Sequence, residues 1–165
     1  MAYNLKQNNM KSNYLFFWDG IYSQWYKAPM SIDGINYNCC EQYMMHQKAL
    51  IFGDTRIAEL IMETENPKDQ KALGRKVKNF DKAKWDSVCM GIVFKGNYAK
   101  FNQNPELGDE LLITGNKIIV EASPYDTIWG IGMSEKEPGI NDPANWKGLN
   151  LLGWSIMLVR KELFG

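Results

Sequence analysis

The pattern of apolar and polar positions predicts a chain that is mainly helical. In six segments the apolar residues recur every three or four positions, which places them on one face of a helix. Capping residues and glycines mark the ends of these segments. The predicted helices are one of about three turns through Met44, Met45, Ala49 and Leu50 that ends at Gly53, a second capped by Asp54 with Ile57, Leu60 and Ile61 inside, a third that begins at Asn66-Pro67 with Leu73 and Val77 inside, a fourth from Lys82 to about Phe101, a fifth from Asn104-Pro105 through Leu107, Leu111 and Leu112, and a last from Leu151 to about Phe164.

Strand patterns occupy three places. The aromatic run at residues 14–18 and the β-branched run at 117–122 have compositions typical of buried strands. Residues 31–37 alternate around Asp33-Gly34, a pair that supplies the positive φ angles of a tight type I′ hairpin turn. With the helices, these strands predict an α+β fold, a mainly helical single domain at residues 14–165 with a small β-sheet and hairpin. Residues 1–13 are polar and predict a ragged N-terminus.

The longest irregular segment, residues 124–150, exceeds normal loop lengths, and such loops tend to be functional or disordered. A predicted strand leads into it, and loops at strand ends are where rigid scaffolds present reactive groups. Glycines in such a loop allow the backbone to approach a ligand closely, or simply form turns. The strand end and the loop carry Glu121, Asp126, Trp129, Gly130 and Gly132.

Composition narrows the class of protein. The 165 residues carry 19 basic and 19 acidic side chains, so no overall positive field is available to hold a nucleic acid. The three cysteines, Cys39, Cys40 and Cys89, fit neither a disulfide framework nor a zinc spacing. The N-terminus lacks the apolar run of a signal peptide, and no later stretch approaches the length of a membrane span. We therefore expect a cytoplasmic protein without a membrane partner, a structural metal or a cofactor.

The first predicted helix brings unlike chemistries together. Glu41 and Lys48 are two turns apart, so they lie on nearly one face, roughly 10 Å apart along the axis. They form part of a site, or a first-turn glutamate complements the helix dipole while the lysine is solvated. His46 lies off that face without a Cys or His partner, which favours a structural role.

A cationic run marks the third predicted helix. Such runs are usually a solvated face. The alternative is that one member, with Arg75 beside Gly74 the first choice, holds a ligand phosphate through a bidentate contact. The run comprises Lys68, Lys71, Arg75, Lys76 and Lys78.

Four blocks of motifs span nearly the whole chain. They are Ser23-Gln24-Trp25; Cys40-Glu41-Gln42-Tyr43 with Gln47-Lys48; Gly74-Arg75 with Trp85-Asp86-Ser87-Val88; and Glu121 through Asp126, Trp129-Gly130 and Gly132 to Gly148, Asn150, Gly153, Met157 and Arg160. In this order and spacing they resemble the NADAR superfamily, and within it the YbiA-like proteins.

The resemblance implies a mainly helical α/β fold and hydrolysis of the C–N bond that joins a ribose to a base or amine. In the YbiA-like branch the substrates are phosphorylated ribosylamino-pyrimidine intermediates of riboflavin synthesis. Another branch removes ADP-ribose from guanine in nucleic acid. The implied partner is thus a small nucleotide-like molecule of the ribosyl phosphate or ADP-ribose type, with ADP-ribosylated nucleic acid as the alternative.

The resemblance also implies site residues, and their roles stay open among several chemistries. Cleavage builds positive charge on the ribose, which Glu41 or Asp126 can stabilise while the other moves a proton. Lys48 can pair with a carboxylate, contact a phosphate or form a Schiff base with the sugar aldehyde. Trp129, and also Trp25, can stack on the leaving base. The implied catalytic residues are Glu41, Asp126 and Lys48, and the implied substrate-binding residues are Ser23, Gln24, Trp25, Arg75, Trp85, Glu121, Trp129, Gly130, Gly132 and Asn150.

The chain departs from the family pattern at several positions. Gln24, Trp25, Cys40 and Gln42 replace the usual Asn, Phe, Ser and His, which bears on substrate choice. Ile131 stands where many relatives carry a polar or acidic residue. This last change motivates a further hypothesis, a non-catalytic module that binds NAD or ADP-ribose.

Overall fold

The computed structural model describes residues 13–165, and it contains six α-helices and four short strands. The predicted α+β fold with mainly helical character is confirmed. The predicted ragged start lies, up to residue 12, outside the described residues. In chain order the elements are β1 (Tyr14–Phe17), β2 (Met30–Ile32), β3 (Ile35–Tyr37), α1 (Cys40–Ile51), α2 (Thr55–Glu63), α3 (Pro67–Gly74), α4 (Lys82–Gln103), α5 (Pro105–Ile113), β4 (Ile118–Glu121) and α6 (Leu151–Phe164), with short 3-10 turns at Gly20–Tyr22 and Pro143–Asn145.

Side-chain caps fix the starts of three helices where the sequence predicts them. The Asp54 carboxylate accepts the Ile57 N–H of α2 at 3.2 Å. The Asn66 side chain accepts the Lys68 N–H of α3 at 2.9 Å. Asp81 accepts the Lys84 N–H of α4 at 2.9 Å. Each bond satisfies one of the amide groups that a helix leaves unpaired at its N-terminus.

The third helix is shorter than predicted. It ends at Gly74, so Val77 is buried from the turn that follows and not from a helical face. Helix α3 approaches α1 closely here, because a Cβ built on Gly74 would lie 2.0 Å from the Met45 sulfur. The second carboxylate oxygen of Asp54 then accepts the Lys78 N–H at 3.0 Å, which holds this turn in place.

Three apolar positions assigned to predicted helix faces are in fact exposed, and Leu50 of α1, which is 45% exposed, is one of them. Leu60 of α2 and Leu112 of α5 both lie at the surface, whereas their neighbours Ile61 and Leu111 are fully buried. A helical period predicts a broad stripe, and the packing partner decides which edge of it is covered.

Strands β1 and β4 form a parallel pair in which Tyr14 faces Ile118 and Phe17 faces Glu121. Strand β1 ends at Phe17, one residue earlier than predicted. Phe17 is buried, whereas Trp18 lies beyond the strand and is exposed. Parallel strands run in the same direction, so the segments that follow β1 and β4 leave the sheet at the same end. The segments after Phe17 and after Glu121 are thereby brought together.

Strands β2 and β3 form the predicted hairpin, with Met30 opposite Tyr37. Asp33 and Gly34 have φ angles of 53° and 81°, the positive values that a type I′ turn requires. The hairpin leads directly into α1.

Helix α1 is the centre of the molecule and is buried on most of its circumference. It packs against α2, α3 and α4, while α6 packs against α4 and β4. Its His46 accepts or donates a 2.9 Å hydrogen bond with the Tyr37 hydroxyl, on the side that faces the hairpin. The predicted structural role of His46 agrees with this contact.

All three cysteines are buried free thiols. Burial raises the pKa of Cys39 to about 11 and the pKa of Cys40 to about 12, so neither is a thiolate at neutral pH. Within residues 13–165 no group of three His, Cys, Asp or Glu side chains is arranged to hold a metal ion. The helices of this part of the chain are also too short or too polar to cross a membrane.

Candidate active site

A cleft of about 940 Å³ opens beside α1. Its walls come from α1, α3, the start of α4 and the segments that follow β1 and β4. Most of the predicted site residues meet there, although they are widely separated in sequence. Those that line it are Ser23, Gln24, Trp25, Glu41, Lys48, Arg75, Trp85, Glu121, Asp126 and Trp129.

Glu41 lies in the first turn of α1 and is only 5% exposed, yet it lines the cleft. Its N–H donates to the Gln24 carbonyl oxygen at 3.0 Å, which ties the start of the helix to the segment after β1. Burial raises the pKa of Glu41 to about 7, against the opposing effects of the Lys71 charge and the Trp25 side chain. The carboxyl group can therefore hold or release a proton near neutral pH.

Glu121 is the last residue of β4 and supplies a second carboxyl group. Its Oε2 atom is buried without a hydrogen-bond partner among residues 13–165. Burial raises the pKa of Glu121 to about 7, and the negative charges of Asp126 and Glu41 act in the same direction. A buried carboxylate oxygen without a protein partner is available to a ligand.

Asp126 holds its own loop in shape. One of its carboxylate oxygens accepts the Ile128 N–H at 2.9 Å and the Trp129 N–H at 2.8 Å. These bonds form an Asx turn that aims the loop into the cleft. Its negative charge also contributes to the raised pKa of both Glu41 and Glu121.

Lys48 lines the cleft on the same face of α1 as Glu41. Its ammonium group lies 4.5 Å from the centre of the Phe80 ring and 5.7 Å from that of Trp85. Burial lowers the pKa of Lys48, Glu41 raises it and Arg75 lowers it further. A partly desolvated amine of this kind is more nucleophilic than a solvated one.

Helix α3 and the residue that caps its C-terminal end contribute two cations to the cleft, Lys71 and Arg75. The Lys71 ammonium lies 6.0 Å from the centre of the Trp25 ring. Lys68, Lys76 and Lys78 are exposed and do not line the cleft. The cationic run is therefore divided, with Lys71 and Arg75 at the cleft and the other lysines in solvent.

The sequence and fold of the chain resemble those of known proteins. The NADAR domain profile matches residues 16–164. The chain is 47% identical over 148 residues to "N-glycosidase R617" of Acanthamoeba polyphaga mimivirus, covering 86% of each chain. The chain belongs to the NADAR domain family.

Two further similarities bear on this NADAR domain. The NMR structure of the Escherichia coli protein YbiA superposes with a TM-score of 0.76 at 27% identity, covering 96% of this chain and 89% of YbiA. "Riboflavin biosynthesis protein VVA0006" of Vibrio vulnificus is 26% identical over 167 residues, covering 99% of this chain and 42% of that longer protein. The predicted family, fold and enzyme class, a hydrolase acting on N-glycosyl compounds, are confirmed.

Three predicted substrate-binding residues of the NADAR domain lie outside the cleft lining, namely Gly130, Gly132 and Asn150. Asn150 is buried, with a positive φ of 54°, and its amide bridges the Ile119 carbonyl and the Glu121 N–H at 2.9 Å each. The two glycines accept tight contacts within the loop, since a Cβ on Gly130 would lie 3.0 Å from the Glu121 carbonyl oxygen. All three shape the loop behind the cleft surface.

Ile131 is fully buried in a hydrophobic cluster with Val120, Ala122, Met133 and Ile140. It does not line the cleft, so its replacement of a polar residue removes no charged group from that surface. The expectation that this departure points to a non-catalytic module is wrong, because the mimivirus relative with 47% identity is named an N-glycosidase and the titratable groups of the site line the cleft.

Sequence reasoning did not single out several residues of the cleft. The most important are Lys71 on α3 and the exposed rings of Trp18 and Tyr125. The spacing of four between Lys71 and Arg75 puts them on one helix face, and this signal was visible in the sequence. Trp18 could not be found in this way, because it is next to Tyr125 only through the pairing of β1 with β4.

Proposed function

We propose that this NADAR domain hydrolyses the C–N glycosidic bond of a phosphorylated ribosyl compound, of the ribosylamino-pyrimidine type found in riboflavin synthesis. The observation that carries the proposal is a cleft in which the buried carboxyl group of Glu41 and the partly buried one of Glu121 lie with two cations, Lys71 and Arg75. We also propose that the protein acts in the cytoplasm.

The two carboxyl groups suit the chemistry of this bond. As the C–N bond breaks, its electron pair stays on nitrogen, and positive charge develops at the ribose C1′ and ring oxygen. An ionised carboxylate stabilises that charge, and a protonated carboxyl donates its proton to the leaving nitrogen. Water then bonds to C1′ and gives a proton to the carboxylate. Because both groups have a pKa of about 7, one can be ionised while the other holds a proton at neutral pH.

Asp126 and Lys48 complete the proposed catalytic group. Asp126 adds negative charge that favours protonation of Glu41 and Glu121. Lys48 is within electrostatic influence of Glu41, and its lowered pKa supports either a contact with the substrate or attack on an open-chain sugar.

The cations support the phosphorylated class of substrate. Arg75 offers a planar fork of donors that matches phosphate oxygens, and Lys71 adds a second charge from the same helix face. A similarity to a riboflavin biosynthesis protein over 99% of this chain supports the same class.

The test is release of ribose 5-phosphate from a phosphorylated ribosylamino-pyrimidine by the purified protein. We expect Glu41→Gln to lower kcat/KM by at least about 100-fold, the range seen when a general acid–base group is removed. Glu162→Gln is the matched control, since Glu162 is exposed on α6 and outside the cleft. A wild-type protein that releases no ribose 5-phosphate between pH 5 and 9 would overturn the proposal.

A second candidate function is removal of ADP-ribose from guanine in nucleic acid. The cleft of about 940 Å³ lies at the upper end of the usual range for ligand pockets and so leaves room for a group larger than a ribosyl phosphate. The balanced charge of the chain argues against it, since nucleic-acid binding usually rests on an excess of basic residues. Turnover of an ADP-ribosylated oligonucleotide that falls steeply with salt would favour this candidate over the small-molecule one.

A further inference from the structure

Two large aromatic rings stand in solvent at the mouth of the cleft. Trp18 is 58% exposed and Tyr125 is 85% exposed, and their ring centres lie 6.1 Å apart with 50° between the ring planes. Both side chains line the same cleft as Glu41 and Glu121. An exposed pair of rings on the wall of a cleft has the shape and polarity to hold a planar ligand.

The fold sets these rings beside each other. Phe17 of β1 pairs with Glu121 of β4, so Trp18 leaves the sheet directly next to the carboxyl-bearing residue. Tyr125 lies in the segment that follows β4, and its backbone N–H donates to the buried Ser123 hydroxyl at 3.3 Å. The pair is therefore built on two strand ends.

The other tryptophans of the cleft are less available to a ligand. The Trp129 side chain packs against the main hydrophobic core. Its backbone N–H donates to the Asp126 carboxylate, which fixes the position of the residue. Trp85 is buried in the same core. Trp25 is exposed, but it lies beside the Lys71 ammonium at the cationic wall.

The shape of a ribosyl phosphate gives the cleft a direction. The leaving group on C1′ and the phosphate on C5′ extend from opposite ends of the sugar. With the phosphate on Lys71 and Arg75, the leaving group can reach the segments after β1 and β4, where Phe17 pairs with Glu121 and Trp18 follows. The carboxyl groups then face the bond between the two ends.

We propose that Trp18 and Tyr125 form a binding platform for the planar heterocycle that leaves from C1′. This assignment rests on the proposed N-glycosidase function and narrows its substrates to those with an aromatic leaving group. The platform stacks on the ring faces and thus selects for flat heterocycles over aliphatic amines.

The experiment compares wild type with the Trp18→Ala/Tyr125→Ala double variant, using two separate probes for binding. Isothermal titration with 6-aminouracil reports on the platform, and titration with ribose 5-phosphate reports on the rest of the cleft. We expect the double variant to bind 6-aminouracil at least about 10-fold more weakly, since stacking on one ring is worth 1–3 kcal/mol, or about 5- to 150-fold. Binding of ribose 5-phosphate should change by less than about twofold.

Two variants serve as controls. Trp154→Ala removes an exposed tryptophan of α6 that does not line the cleft, and it should leave both affinities unchanged. Trp18→Phe keeps an aromatic face and should retain most of the affinity for 6-aminouracil. In turnover, the double variant should raise KM for a ribosylamino-pyrimidine phosphate more than it lowers kcat.

The outcomes separate this inference from the proposed function. Unchanged binding of 6-aminouracil by the double variant, an equal loss in Trp154→Ala, or loss of both probes together would overturn the platform. A wild type that binds 6-aminouracil through these rings but releases no ribose 5-phosphate would overturn the proposed function and leave the platform standing.

Discussion

The Lys100 ammonium group donates a 2.9 Å hydrogen bond to the Ser23 carbonyl oxygen from a position that is fully buried. Burial lowers the pKa of this lysine, which lies outside the cleft lining. One turn earlier on α4, the Asn97 amide donates to the Gln24 side chain at 2.8 Å. Helix α4 thereby holds the segment that carries Trp25 over the cleft.

The first prediction concerns that buried lysine. Lys100→Met should lower kcat/KM by about 10-fold or more, because the Ser23–Trp25 segment loses its anchor. Stability should fall by no more than about 1–2 kcal/mol, since removal of a buried ammonium group offsets the lost hydrogen bond to the Ser23 carbonyl oxygen. Lys95→Met, which removes an exposed ion pair with Asp33, is the control and should keep full activity. Full activity in a folded Lys100→Met protein would contradict the anchoring role.

The second prediction concerns how the ionisation of Glu41 lowers the free energy of unfolding. Native Glu41 keeps its proton up to about pH 7, whereas in the unfolded chain the carboxyl group has its ordinary pKa of 4.5. Between these values the native state binds more protons, so the free energy of unfolding falls as the pH rises. Glu41→Gln should be more stable than wild type at pH 8, by up to about 3 kcal/mol, and similar to it at pH 4.

Urea denaturation at pH 4, 6 and 8 measures that difference. A pH-independent difference between the two proteins would contradict the raised pKa. The same variant should be inactive, which would separate the catalytic need for this carboxyl group from its cost in stability.

The third prediction concerns the pH profile of activity. Asp126 raises the pKa of both Glu41 and Glu121, so Asp126→Asn should move the whole profile of kcat/KM toward lower pH. Asparagine keeps the side-chain oxygen that accepts the Ile128 and Trp129 N–H groups, so the loop should stay folded. Asp109→Asn on the exposed face of α5 should leave the profile in place. A profile that shifts upward, or equally in both variants, would contradict the assignment.

The fourth prediction tests the packing of α6 against β4. A Cβ on Gly153 would lie 2.1 Å from the Ile119 carbonyl oxygen and 2.5 Å from the Asn150 amide. Gly153→Ala should therefore destabilise the protein by about 1–3 kcal/mol, since the backbone must move apart. Gly91→Ala on α4 is the control, because no atom lies within 4 Å of its Cβ position. That change should stabilise by about 0.5–1 kcal/mol. Equal melting temperatures for the two variants would contradict the close approach.

Local chemistry made much of this fold predictable from the sequence. The turn at Asp33 and Gly34 needs positive φ angles, and the caps at Asp54 and Asp81 need a side-chain oxygen. These requirements act over four residues or fewer, so the residue types reveal them directly. The end of α3 at Gly74 escaped prediction, because Val77, which continues the apolar pattern, is buried from the following turn and not from the helix.

The candidate site divides in the same way. The shared face of Glu41 and Lys48 follows from helical spacing, and both line the cleft. Asn150 and Gly132 belong to the motifs that identify the family. A motif does not distinguish a residue that contacts the ligand from one that stabilises the loop behind the cleft. The role of Glu121 as a second, partly buried carboxyl group depends on desolvation, which only the three-dimensional arrangement determines.

The parallel pairing of β1 with β4 also determines when the cleft is completed during folding. Each of helices α1 to α5 forms from residues that are close in sequence, whereas this pair joins Tyr14–Phe17 to Ile118–Glu121 across most of the chain, and such distant contacts form slowly. Until the pair forms, Trp18 and Glu121 are apart and the cleft lacks one wall. Recovery of activity during refolding should therefore lag behind recovery of helical signal, and the lag measures the joining of the two strands.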